Sequence, residues 1–115
     1  MPKIPSDKPN AGLRMEVSTK DGVAVVKCGG RLDLDSTPDL NQEVRRLISL
    51  SRRIVLDLGG VTFMDSSGLG TIVGLYASAK SANCELQLLN LTQQIRRLLS
   101  LTNLLPLFET PGEQV

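Results

Sequence analysis

Histidine and tryptophan are absent from these 115 residues, and one tyrosine and two phenylalanines make up the whole aromatic complement. Without histidine the chain lacks the commonest general base near neutral pH and the commonest metal ligand. So few aromatic rings do not build the stacking platforms on which single-stranded nucleic acids lie. An excess of one charge is missing too. The 13 Lys and Arg residues face 12 Asp and Glu, a formal net charge of +1, which gives no electrostatic grip on nucleic acid. Cysteine occurs twice, as Cys28 and Cys84. The two are too far apart for a metal-binding spacing and both sit in apolar, strand-like surroundings, as buried free thiols of a reducing compartment do. Apolar runs break within a few residues, so neither a signal peptide nor a membrane span is visible, and the chain is expected in the cytoplasm. No cofactor or metal is expected.

What is present is enough for one domain with a real core, since 41% of the residues are hydrophobic. Residues 1–12, with Pro2, Pro5 and Pro9 and no periodicity, read as a tail; residues 13–109 read as the domain and 110–115 as a second tail. Leu13, Met15 and Val17 alternate with Arg14, Glu16 and Ser18, the pattern of a half-buried strand. Asp21-Gly22 is a hairpin turn signal, and Val23 to Cys28 returns as a strand that Gly29-Gly30 is expected to end. Arg31 to Asp35 then forms a loop. Ser36 or Thr37 caps a helix with Pro38 in its first turn, and Leu40, Val44, Leu47 and Ile48 share its inner face. Further on, Cys84 to Leu89 reads as a strand, and Thr92 caps a helix with Ile95, Leu98 and Leu99 facing inward. Leu104 to Phe108 reads as a short last strand. The order β-β-α-β-α-β-α-β predicts an α/β fold: a mixed, mostly parallel sheet of four or five strands that starts with a hairpin and has helices packed against it.

The chain is organised around residues 54–70. Ile54 to Leu58 has the composition of a strand buried on both faces, Gly59-Gly60 breaks it, and Val61 to Met64 is a short apolar piece. After Asp65-Ser66-Ser67 the apolar period becomes helical, with Leu69, Ile72, Val73, Tyr76 and Ala79 on one face. Asp and Ser are favoured N-cap residues, but a single cap needs only one of them. Gly68 and Gly70 each cost roughly 1 kcal/mol of helix propensity in the first turn and allow close approach of another backbone. Two hydroxyls thus stand where a strand hands over to a helix, at the end that favours an anionic group. In parallel sheets, sites form beyond the carboxyl ends of the strands, so the Gly30–Asp35 and Asp65–Gly70 loops are expected at one end of the molecule, with Asp33 near Ser66. Asp33 and Asp35 alone do not make a metal site, lacking further ligands close by.

Phe63-Met64-Asp65-Ser66-Ser67-Gly68-Leu69-Gly70 resembles the signature of the STAS family, and most closely that of its bacterial anti-sigma factor antagonists. Gly30-Arg31-Leu32-Asp33 is similar to the family's Gly-x-Leu-Asp element. The resemblance runs from about Leu13 to about Phe108. It implies a single STAS domain whose phosphorylation site is Ser66, with Asp33, Asp65, Ser66, Ser67, Gly68, Leu69 and Gly70 forming the partner-binding surface. Ser67 is assigned to the helix cap. The implied partner is an anti-sigma factor with serine kinase activity, which carries the ATP and magnesium. A serine phosphatase performs the reset, and neither nucleic acid nor membrane is contacted directly. The same motif and fold also serve as interaction modules of stressosome-like complexes and of membrane transport assemblies. No catalytic residue is assigned: neither Met64 nor Asp65 is the glycine of a Gly-x-Ser-x-Gly elbow, no histidine activates a serine, and Lys80 lies far down the helix.

Overall fold

The computed structural model describes residues 12–108. The two expected tails fall largely outside that span. Strand β1 (Leu13–Lys20) and strand β2 (Val23–Leu32) form an antiparallel hairpin. Its turn residues Asp21 and Gly22 both take positive φ, 52° and 81°, the backbone that matches the twist of paired strands. Helix α1 (Thr37–Ile48) carries the chain to strand β3 (Arg53–Met64), which lies parallel to β2. Helix α2 (Ser66–Ser81) leads to strand β4 (Glu85–Leu89), parallel to β3. Helix α3 (Gln93–Leu101) and the single turn α4 (Leu105–Phe108) follow. The four-stranded sheet has the order β1-β2-β3-β4, so each strand lies beside its predecessor.

Burial alternates along the first halves of β2 and β3, whereas β1 buries Leu13, half-buries Met15 and, against the expected alternation, leaves Val17 exposed. Ala24, Val26 and Cys28 of β2 and Ile54, Leu56 and Leu58 of β3 join the core with Leu40, Val44, Leu47, Ile72, Leu75, Ile95 and Leu99. The intervening Val25, Val55 and Asp57 are half-buried. Strand β3 is therefore buried on one face rather than on both.

Three further expectations need correction. The glycine pairs do not end their strands: β2 runs through Gly29-Gly30 to Leu32, and β3 through Gly59-Gly60 to Met64. The β2–β3 register shifts between Lys27 and Gly29 and again between Gly30 and Arg31. A Cβ at Gly60 would stand 2.9 Å from the Cys28 carbonyl oxygen, so glycine here lets bulged strands approach closely. The inner face of α2 is rotated from the expected one: Gly68, Ile72, Leu75 and Ala79 are buried, while Leu69, Val73 and Tyr76 are half-buried. Finally, Leu104–Phe108 gives no strand. Asn103 at φ 60° ends α3, and the turn of α4 brings Phe108 edge-on to Tyr76, with ring centroids 5.1 Å apart. Pro106 has no N–H for a sheet ladder but fits the first turn of a helix.

Both cysteines are free and buried. Burial, helped by the charge of Asp57, pushes the Cys28 thiol up to about 12, and burial with Glu85 raises that of Cys84. Because the thiolate is the nucleophile, neither should react with iodoacetamide in the native protein at mildly alkaline pH, and both should react in denaturant. Rapid native labelling of Cys28 would contradict this packing.

Candidate functional site

The extended strands set the site. Leu32 and Met64 are register partners, so the segments leaving β2 and β3 emerge side by side. The Asp65 N–H donates to the Leu32 carbonyl at 3.4 Å and ties them together. The Gln94 side chain of α3 brackets the end of β3. Its Oε1 accepts the Met64 N–H at 3.3 Å, and its amide nitrogen donates to the Met64 carbonyl at 3.4 Å. This residue lies 30 positions away, and nothing in the local sequence points to it.

Asp65 is the N-cap of α2, with extended backbone (φ −110°, ψ −171°). Its Oδ1 accepts the Ser67 N–H at 2.9 Å and the Gly68 N–H at 3.1 Å. Its carbonyl takes the Leu69 N–H at 3.0 Å. Capping thus falls to the carboxylate and not to Ser67, which is half-buried at the second helical position. Ser66, the first helical residue, is exposed, and its hydroxyl bonds to no side chain or backbone group among the described residues. Asp65→Ala should cost about 1 kcal/mol, read from a urea melt, with Asp65→Asn close to the parent. An alanine variant as stable as the parent would show that the cap contributes nothing.

The two first-turn glycines have different reasons. A Cβ at Gly68 would stand 2.5 Å from the Leu32 carbonyl oxygen and 2.9 Å from the Met64 Cγ, whereas one at Gly70 meets nothing within 4 Å. Gly68 is closed against the protein's own backbone; Gly70 is open to the outside. Leu69 between them is half-buried.

Opposite lies the loop of Asp33. Arg31 bonds Asp33 Oδ2 at 3.2 Å, and its guanidinium carbon lies 4.4 Å from the centroid of the Phe63 ring. Asp33 Oδ1 accepts the N–H groups of Asp35 at 3.1 Å and Ser36 at 3.3 Å. Partial removal from water works against the Asp33 charge. The bonds from Arg31, Ser36 and Asp35, with the Arg31 charge, outweigh it and hold the carboxyl below the usual carboxylate range. Ser36 occupies the N-cap position of α1 but makes no side-chain cap. Its buried Oγ donates to the Arg31 carbonyl at 2.8 Å and accepts the Asp33 N–H at 3.0 Å, so it fastens the loop instead.

Two open cavities, of about 520 and 580 Å³, lie away from Ser66, one near Arg14, Lys27 and Asp57 and the other near Val17, Arg46 and Leu50. Among the described residues no group of three or more His, Cys, Asp or Glu could hold a metal ion, and no helix is long and apolar enough to cross a membrane.

An α/β domain of this topology, with an exposed serine after an aspartate cap, defines a class that comparison with known proteins identifies. The family model for the STAS domain matches residues 14–114. The chain is 34% identical over 93 residues to the anti-sigma-B factor antagonist of Staphylococcus aureus, covering 80% of this chain and 86% of that protein. The chain therefore belongs to the STAS family. A solved anti-sigma factor antagonist from Mycobacterium paratuberculosis has the same fold, with a TM-score of 0.75 and 26% identity over 88% of this chain and 89% of that one. The antagonist SpoIIAA matches in its unphosphorylated form with a TM-score of 0.72, at 21% identity over 86% of this chain and 90% of that one. Its phosphorylated form matches with a TM-score of 0.69, again at 21% identity, over 86% of this chain and 94% of that one.

Proposed function

We propose that this chain is an anti-sigma factor antagonist switched by phosphorylation of Ser66. Unmodified, it binds an anti-sigma factor through Ser66, Ser67, Leu69 and Gly70, with Asp65 and Gly68 shaping the loop and Asp33 beside it, and so releases a sigma factor. The partner is also the serine kinase and supplies ATP and magnesium; a serine phosphatase resets the switch. This chain contributes a substrate hydroxyl and no catalytic group.

One observation carries the proposal: Ser66 is exposed at the start of a helix whose Ser67 and Gly68 N–H groups are already taken by Asp65. A phosphate there brings about −1.5 to −2 charges at neutral pH. It meets a carboxylate where a free helix end would offer bonds, so the added charge is not absorbed by the fold and falls on whatever docks there. The unphosphorylated and the phosphorylated SpoIIAA both share this fold, as expected of a fold that outlasts the modification.

The test is displacement. Added to a complex of the host's anti-sigma factor and sigma factor, the unmodified chain should free the sigma factor, and the phosphorylated chain should not. Capture of a transporter subunit in place of an anti-sigma factor would assign the domain to a transport assembly instead.

A further inference from the structure

Leu34 is 71% exposed at the tip of the loop between β2 and α1. A lone exposed leucine is ordinary. This one stands on a loop that is not free to tuck it away. Asp33 Oδ1 holds the Asp35 and Ser36 amides, Ser36 Oγ spans from the Arg31 carbonyl to the Asp33 N–H, and Thr37 Oγ1 donates to the Leu34 carbonyl at 3.4 Å. Ser36 itself is 0% exposed. The backbone on both sides of Leu34 is fixed while its side chain faces solvent, so a partner covering it has little left to order. The Asp65–Leu32 hydrogen bond and the Leu32–Met64 register set this loop beside that of Ser66. Leu50, 67% exposed, instead borders the cavity at the hairpin turn, the opposite end of the sheet.

We propose that Leu34 is the apolar anchor of the docking surface around Ser66, and that it enters a recess on the anti-sigma factor rimmed by arginine or lysine. This inference rests on the function proposed above. Asp33 is already paired with Arg31, so the sign of the rim follows from the other two carboxylates: Asp35 adjoins Leu34 in the chain, and Asp39 lies in the first turn of α1. An acidic rim would be repelled. Division of labour follows as well. The seated leucine controls dissociation, and the carboxylates control association and its salt dependence. The anchor gives the unmodified state its hold, and a phosphate at the neighbouring loop acts against a partner already committed to that face.

The experiment is surface plasmon resonance of the full chain over the host's kinase-type anti-sigma factor, without ATP. Leu34→Ala should raise Kd about tenfold, mainly through faster dissociation, with an unchanged melting temperature. Leu34→Met should bind within about threefold of the parent, as a volume-conserving swap does. The double variant Asp35→Asn, Asp39→Asn should slow association and flatten its dependence on salt. If Leu34→Ala binds within twofold of the parent while Ser66→Asp loses binding, the anchor is overturned and the switch stands. If Ser66→Asp binds as tightly as the parent, the switch is overturned, and a loss in Leu34→Ala would still support the anchor.

Discussion

Ser66→Asp is expected to weaken binding to the anti-sigma factor by a hundredfold or more while shifting the melting temperature by only a few degrees. The two halves of this expectation have separate causes. Ser66 is exposed and its hydroxyl holds no other part of the described structure. A substitution there should stay within about 0.5 kcal/mol, as surface changes do, or a few degrees for a domain of this size. The helix end favours a carboxylate and the neighbouring Asp65 opposes one, so these small terms act against each other. Binding is different, because a partner must seal the loop from water. A hundredfold loss needs about 2.7 kcal/mol, and leaving one charge buried without a counter-ion costs about 3–5 kcal/mol. Calorimetric titration beside a thermal melt reads both quantities. A large drop in melting temperature would mean that the substitution acts through folding and not through the interface.

Gly68→Ala should have a large effect on stability. The added methyl would lie within 2.5 Å of the Leu32 carbonyl oxygen, a backbone atom that moves only with β2 itself. Overpacking of this kind costs about 1–3 kcal/mol, and here the obstacle cannot rotate away. At roughly 4–8 °C per kcal/mol, the upper part of that range lowers the melting point by roughly 10–20 °C. Gly70→Ala is the control, since nothing lies within 4 Å of its added Cβ and the helix gains propensity. It should raise stability by about 0.5–1 kcal/mol. Differential scanning calorimetry of the pair would show opposite signs. Equal effects would mean that α2 does not sit against Leu32 as described.

Much of this arrangement was legible from residue order. The Asp21-Gly22 turn, the inner face of α1 and the Thr92 cap, whose Oγ1 accepts the Ile95 N–H at 3.2 Å, follow from short-range chemistry that has one solution. The neighbourhood of the Asp33 and Asp65 loops followed from topology, because parallel strands bring their carboxyl ends to one side. What escaped depends on distant partners. Gly-Gly is the same dipeptide whether it ends a strand or lets a bulge pass, and only the register between β2 and β3 decides. The apolar run Leu104 to Phe108 suits a strand or a helical turn, and the ring of Tyr76 selects the turn. Gly68 and Gly70 look alike in the chain; the Leu32 carbonyl separates them. Ser36 has the composition of a cap, yet its hydroxyl has a better partner in the Arg31 carbonyl.

Site-resolved mass spectrometry after incubation with the kinase-type anti-sigma factor and ATP addresses the switch most directly. One phosphate per chain, carried by Ser66 and absent from Ser66→Ala, is the predicted result. Stoichiometric phosphate on Ser67, or on Ser66→Ala at any position, would contradict it.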